Sequence, residues 1–161
     1  IMLDTKNFII KTGVRTFEAA AYLRKMGADT VEVRKLFAST MEAYQRKAKL
    51  VANAQVYKGC AIAWSTERDD TEIQVTAAQA ADELLNISGV QASFLMFEQG
   101  KGVSYSARSM GQLNVQIIME KLGGGGHHTM AGAQTPGITM DEARQRLREA
   151  IDQYFEENSR K

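Results

Sequence analysis

Residues 90–109 read VQASFLMFEQGKGVSYSARS. Val90 to Phe97 and Val103 to Ser109 form the two strands of a predicted hairpin, turned by Glu98-Gln99-Gly100-Lys101-Gly102. From Val103 to Ser109 apolar and polar residues alternate strictly. A strand there carries Val103, Tyr105 and Ala107 on one face and Ser104, Ser106 and Arg108 on the other. Downstream, Val115, Ile118, Met119 and Leu122 repeat at helical spacing, predicting a helix over 114–122. A strand near Thr129 to Gln134 follows, then a turn at Pro136-Gly137. Thr139 and Glu142 then match a capping box, opening a last helix with Ala143, Leu147, Ala150, Ile151 and Tyr154 on one face. Upstream, Gly59 separates strand-like runs at 55–58 and 60–65. The charged loop 66–71 leads to a helix through Asn86 with Val75, Ala78, Ala81 and Leu85 inward. From residue 60 the order strand, helix, hairpin, helix, strand, helix predicts an α/β fold with helices packed on a mixed sheet.

The first third of the chain reads differently. Ile1-Met2-Leu3 has the look of the tail of a buried strand. Helices are expected over about 15–26, 29–37 and 39–54, with Met41, Tyr44, Ala48 and Val51 sharing a face of the third. These helices read as a connector, which divides the chain into 1–54 and 55–161.

Composition narrows the function. The 161 residues carry a formal net charge of +1 and 7% aromatics. Neither supports a basic groove with stacking platforms for long nucleic acid. A small anionic ligand held at a local site is compatible. Cys60, the single cysteine, lies in the apolar run CAIAW and reads as a buried small hydrophobe. No apolar run approaches the ~18 residues of a spanning helix, and the domain reads as cytoplasmic.

Gly123-Gly124-Gly125-Gly126-His127-His128 holds four of the thirteen glycines and both histidines. One glycine suffices to cap a helix, so three more suggest that something approaches the main chain closely. Successive unblocked N–H groups can form an anion nest, and phosphate is its commonest occupant. The alternative is a flexible turn. If the chain is extended here, the two histidines point to opposite sides, which argues against a paired metal site. One of them is then a phosphate or base ligand. Arg108 ends the polar row one short helix before the glycines, where a guanidinium can hold phosphate bidentately. Otherwise it is an exposed strand arginine. Asp4, at the carboxyl end of the apparent strand, is a candidate metal ligand or a loop acid.

GGGGHHTMAGAQ, with SARS at 106–109, resembles the DHH-associated carboxy-terminal domain of DHH-family phosphoesterases. The opening MLDTKNFIIKTGVRTFEAAAYLRKMGAD resembles the last motif and trailing helix of the DHH catalytic domain. The variant resembles the membrane-anchored cyclic-di-AMP phosphodiesterases of the GdpP type. The resemblance implies that 1–54 is the end of a truncated catalytic domain with its helical connector, and 55–161 the substrate-binding domain. It implies Asp4 as one ligand of a two-manganese centre. It also implies Gly123 to Gly126 with the following histidine as the clamp for substrate, with Arg108 nearby. His127 is preferred as the family histidine, because it follows the glycines directly. Ala131-Gly132-Ala133 departs from the family's two alanines and a glycine, and the Asp-His-His element is absent. The expected reaction is hydrolysis of cyclic-di-AMP to linear pApA by a parent protein anchored in the bacterial membrane, with this chain alone inactive. The expected partners are a cyclic dinucleotide or short oligonucleotide and a second copy of the chain. The alternatives are a nanoRNA or oligoribonucleotide phosphoesterase, or a non-catalytic nucleotide- or RNA-binding module.

Overall fold

The computed structural model describes residues 1–65, 67 and 72–159, so most of the charged loop expected at 66–71 lies outside the described residues. The chain divides into two compact units, Ile1–Thr40 and Met41–Lys161.

The first unit holds α1 (Val14–Lys25) and α2 (Thr30–Lys35). Asp29 caps α2, its carboxylate accepting from the amides of Val31 and Glu32. The expected strand at Ile1-Met2-Leu3 is corrected: residues 2–9 form successive turns, and Ile1 and Leu3 are exposed. Thr5 organises these turns. Its hydroxyl donates to the Ile1 carbonyl at 2.9 Å and accepts from the Phe8 amide at 3.0 Å. Unit 1 contains no strand among its described residues, so the apolar run has no ladder to join.

The second unit begins with α3 (Met41–Ala52), which the sequence grouped with the connector. Leu50 is its buried anchor, while Met41 and Tyr44, expected to share a face with Ala48 and Val51, are exposed. A six-stranded sheet follows, with β1 (Gln55–Tyr57), β2 (Cys60–Trp64), β3 (Ala92–Gln99), β4 (Gly102–Ser109), β5 (Gly125–His127) and β6 (Met130–Pro136). The strand order is β1-β2-β3-β4-β6-β5. Only β2 and β3 run parallel, joined by the crossover helix α4 (Ile73–Leu84). The β1–β2 turn is Lys58-Gly59, both with positive φ (49° and 74°), the backbone of a type I′ hairpin.

Strand alternation sorts the core into two layers. Phe94, Met96, Val103, Tyr105 and Ala107 face α5 (Val115–Glu120) and α6 (Met140–Asn158). Ala61, Ala63, Leu95 and Phe97 face α4. The expected inner stripe of α6 is buried in full. Its start carries the complete Thr139–Glu142 capping box. In α4 the buried stripe is Ile73, Thr76, Ala77, Ala80, Ala81 and Leu84; of the expected stripe Ala81 is buried, Ala78 and Leu85 are half-buried and Val75 is exposed. The helix is rich in alanine on several faces, so its periodicity fits two overlapping stripes equally well. Helix α4 packs over β2, β3 and part of β4, and the same face continues over β6 toward β5.

Candidate functional site

A groove of about 470 Å³ opens where α4 stops covering that face. Ser104, Ser106 and Arg108 line it from β4, the polar row read from the sequence alternation. Across the ladder, Ser104 pairs with Gln134, Ser106 with Gly132 and Arg108 with Met130, and these three residues also line the groove. Gln74 and Ala78 of α4 and Phe97 and Gln99 of β3 complete one side, and Gly124 lies at another. Gly132 is tightly seated: a β-carbon on it would stand 3.0 Å from the Tyr105 carbonyl oxygen. Between larger side chains it keeps the sheet surface low.

Among the described residues that line the groove, Arg108 is the only charged one. Its side chain is 12% exposed, and burial lowers its pKa from the ordinary arginine value while Asp82 opposes that shift. Asp82 Oδ1 stands 3.5 Å from Arg108 Nε, but among the described residues Nε has no acceptor at hydrogen-bonding geometry. Nη1 donates to the Ala107 carbonyl at 2.9 Å. One cation among the described lining residues, in a groove of hydroxyls and amides, suits one anionic group flanked by neutral polar surface. Ser104 Oγ donates to Gln99 Oε1 at 2.7 Å, which leaves the Gln99 amide NH₂ as the donor available to a ligand.

The glycine run divides into different roles. Gly123 has φ +77° and turns the chain so that the Gly124 amide reaches back to the Met119 carbonyl at 2.9 Å, closing α5. Gly125 to His127 is an edge strand pairing antiparallel with β6, where the sequence predicted a loop. The close approach inferred from the glycines is real at two positions, and strand β6 is what approaches. A β-carbon on Gly124 would stand 2.1 Å from the Gly132 oxygen, and one on Gly126 would stand 2.5 Å from Ala131 Cα. Gly125 meets nothing within 4 Å.

Of the predicted substrate-binding residues, the groove brings together Arg108 and Gly124; Gly123, Gly125, Gly126, His127 and His128 are not among its lining residues. His127 is exposed and makes no side-chain hydrogen bond among the described residues. His128 Nε2 lies 2.9 Å from the Gly111 carbonyl oxygen, and its own carbonyl accepts from the Val115 amide at 3.0 Å. It ties the β5–β6 turn to the approach to α5. Gln99, Gln134 and Gly132 were not singled out from sequence. The signal for Gln134 and Gly132 is their period-two spacing opposite Ser104 and Ser106, readable only once β6 is known to pair with β4.

Asp4 lies in the first unit, exposed, with no hydrogen bond or ion pair among the described residues. No group of three or more His, Cys, Asp or Glu among the described residues could hold a metal ion. A two-manganese centre needs several such ligands per ion, so the described residues do not fit one.

The DHHA1 domain model matches residues 52–157. The chain is 52% identical over 158 residues to the cyclic-di-AMP phosphodiesterase GdpP of Geobacillus thermodenitrificans, covering 97% of this chain and 24% of that protein. It is 50% identical over 159 residues to GdpP of Bacillus subtilis, with the same coverage of 97% and 24%. The chain therefore spans about a quarter of the length of these relatives. A crystal structure of an exopolyphosphatase-related protein from Bacteroides fragilis superposes with a TM-score of 0.83 at 22% identity, covering 95% of this chain and 47% of that one. That likeness is one of fold.

Proposed function

The chain belongs to the DHHA1 domain family, and from that premise we propose that it is the substrate-binding part of a phosphodiesterase that hydrolyses cyclic-di-AMP to linear pApA. The observation that carries this reading is the groove over β4 and β6, lined among the described residues by one cation and no carboxylate. Arg108 takes a phosphate of the dinucleotide through its guanidinium. Ser104 and Ser106 offer hydroxyls along the same row, and Gly132 lets sugar or phosphate come down to the sheet surface. The amides of Gln99 and Gln134 supply donors and acceptors of the kind that read base edges. Gly124 sets one side of the groove. From there β5 carries His127 outward as a second, exposed contact for nucleotide. The chain's own part in the reaction is thus to bind and orient the phosphodiester. Relatives that carry the cyclic-di-AMP phosphodiesterase name, at about half identity over nearly the whole chain, support that substrate over others.

The test is hydrolysis by the complete polypeptide that carries this sequence, followed for cyclic-di-AMP and for a linear dinucleotide in parallel. Arg108→Ala removes a charge-assisted contact worth about 1.5–3 kcal/mol. The expected result is a KM for cyclic-di-AMP raised roughly 10- to 150-fold. An unchanged KM would remove Arg108 from the substrate. Turnover of the linear dinucleotide alone would replace this reading with an oligoribonucleotide phosphoesterase.

A further inference from the structure

Arg108 has a neighbour that the sequence reading did not use. Ser93 is fully buried on β3 and pairs with Arg108 across the β3–β4 ladder. Its hydroxyl donates to the Ala81 carbonyl at 2.6 Å. Ala81 lies in the last turn of α4. The bond therefore pins that turn to the sheet at the level of Arg108. The next residue, Asp82, is thereby held with Oδ1 at 3.5 Å from Arg108 Nε.

We infer that Asp82 is a positioning residue for the guanidinium of Arg108, fixed in place by the Ser93–Ala81 hydrogen bond; this rests on the reading that the groove takes phosphate. The carboxylate approaches at Nε, and Nη1 is tied to the Ala107 carbonyl, so the guanidinium is held from two sides. Nη2 has no hydrogen bond among the described residues, so its two N–H groups, with the second N–H of Nη1, are left for a ligand. Asp82 is 38% exposed and Arg108 is 12% exposed, so the pair is wet on the acid's side and shielded on the base's. A guanidinium stripped of that partner has the freedom to turn out of the groove toward water, since burial works against its charge.

Two opposite outcomes separate this role from simple electrostatics. Removing a negative charge near an anion site strengthens anion binding by Coulomb's law, whereas removing a positioning residue weakens it. The 161-residue chain is titrated calorimetrically with pApA as wild type, Asp82→Asn, Asp82→Glu, Arg108→Ala and the Asp82→Asn/Arg108→Ala double variant. Asparagine is isosteric with aspartate, and thermal melting confirms that each variant is folded. Asp82→Asn is expected to weaken pApA about tenfold, or about 1.4 kcal/mol. Asp82→Glu should stay within about threefold of wild type. Once Arg108 is alanine, Asp82→Asn should change nothing beyond about twofold, because coupled residues are not additive. Unchanged or tighter binding in Asp82→Asn, or the same tenfold loss without Arg108, overturns the positioning role. If Arg108→Ala binds pApA as wild type does, or the wild-type chain binds none, the phosphate reading of the groove itself fails and takes this inference with it.

Discussion

Replacing Gly126 with alanine should unseat the edge of the sheet, while the same change at Gly125 should not. At Gly126 the added β-carbon would lie 2.5 Å from Ala131 Cα, 2.6 Å from the Met130 oxygen and 2.9 Å from Ala131 Cβ. Two of these contacts are to backbone atoms that cannot swing away. Overpacking of this kind costs about 1–3 kcal/mol. The backbone there has φ +147°, a conformation that side chains other than glycine rarely adopt, adding about 1–2 kcal/mol. The total is bounded by the alternative of letting β5 detach, which sacrifices a three-residue pairing with β6. A loss of about 2–4 kcal/mol corresponds to a fall in Tm of roughly 4–16 °C for a chain of this size. At Gly125 the β-carbon meets nothing within 4 Å and φ is not positive, so Gly125→Ala should leave Tm within about 2 °C. Circular-dichroism melting of both variants, with hydrogen exchange of the β5 amides, reads the difference. Equal Tm values for the two would refute the claim that glycine is required at Gly126 by the close approach of β6. With the fold intact, Gly125→Val then shows whether ligand touches the open part of the run.

Two further outcomes follow from ionisable groups. Burial pushes the Cys60 thiol from 9.0 up to about 12, so at pH 8 its thiolate fraction falls about a thousandfold; iodoacetamide should label it only in denaturant, and rapid labelling of the native chain would contradict its burial. Hydrogen bonds from Lys58 and Tyr57 hold the Asp152 carboxyl below the ordinary 3.8, so its stabilising contribution is present above that value and lost as pH falls through the folded pKa. Asp152→Asn should accordingly flatten the acid limb of the urea-midpoint-versus-pH curve below about pH 4, and an unaltered limb would show that the cluster contributes nothing to folding.

Much of the second unit was legible because its pattern had a single solution. The alternation in β4 left one face for the core and one for the groove, and the α6 stripe admitted no other inner face. Where apolar and small residues crowd together the pattern became degenerate. In α4, alanines at 77, 78, 80 and 81 allow two stripes, and only the sheet beneath selects one. The glycine run misled in a more instructive way. Its composition announced close approach, but composition does not say what approaches, and at Gly124 and Gly126 it is strand β6. That strand of three residues contains two glycines and lacks the β-branched residues that mark strands. Arg108 was found from periodicity. Gln134, Gly132 and Asp82 became visible only through pairings and a crossover that bring together residues far apart in sequence.

Amide and guanidinium NMR shifts recorded while pApA is added to the 161-residue chain would locate the phosphate without reference to turnover. The largest changes are expected at Ser104, Ser106, Gly124, Gly132 and Gln134, together with the Arg108 Nε–H resonance, all of which belong to one groove. They should vanish in Arg108→Ala at the same ligand concentration. Saturable shifts that leave those residues unmoved and gather instead on α6, across the sheet, would mean that the groove is not where the dinucleotide binds.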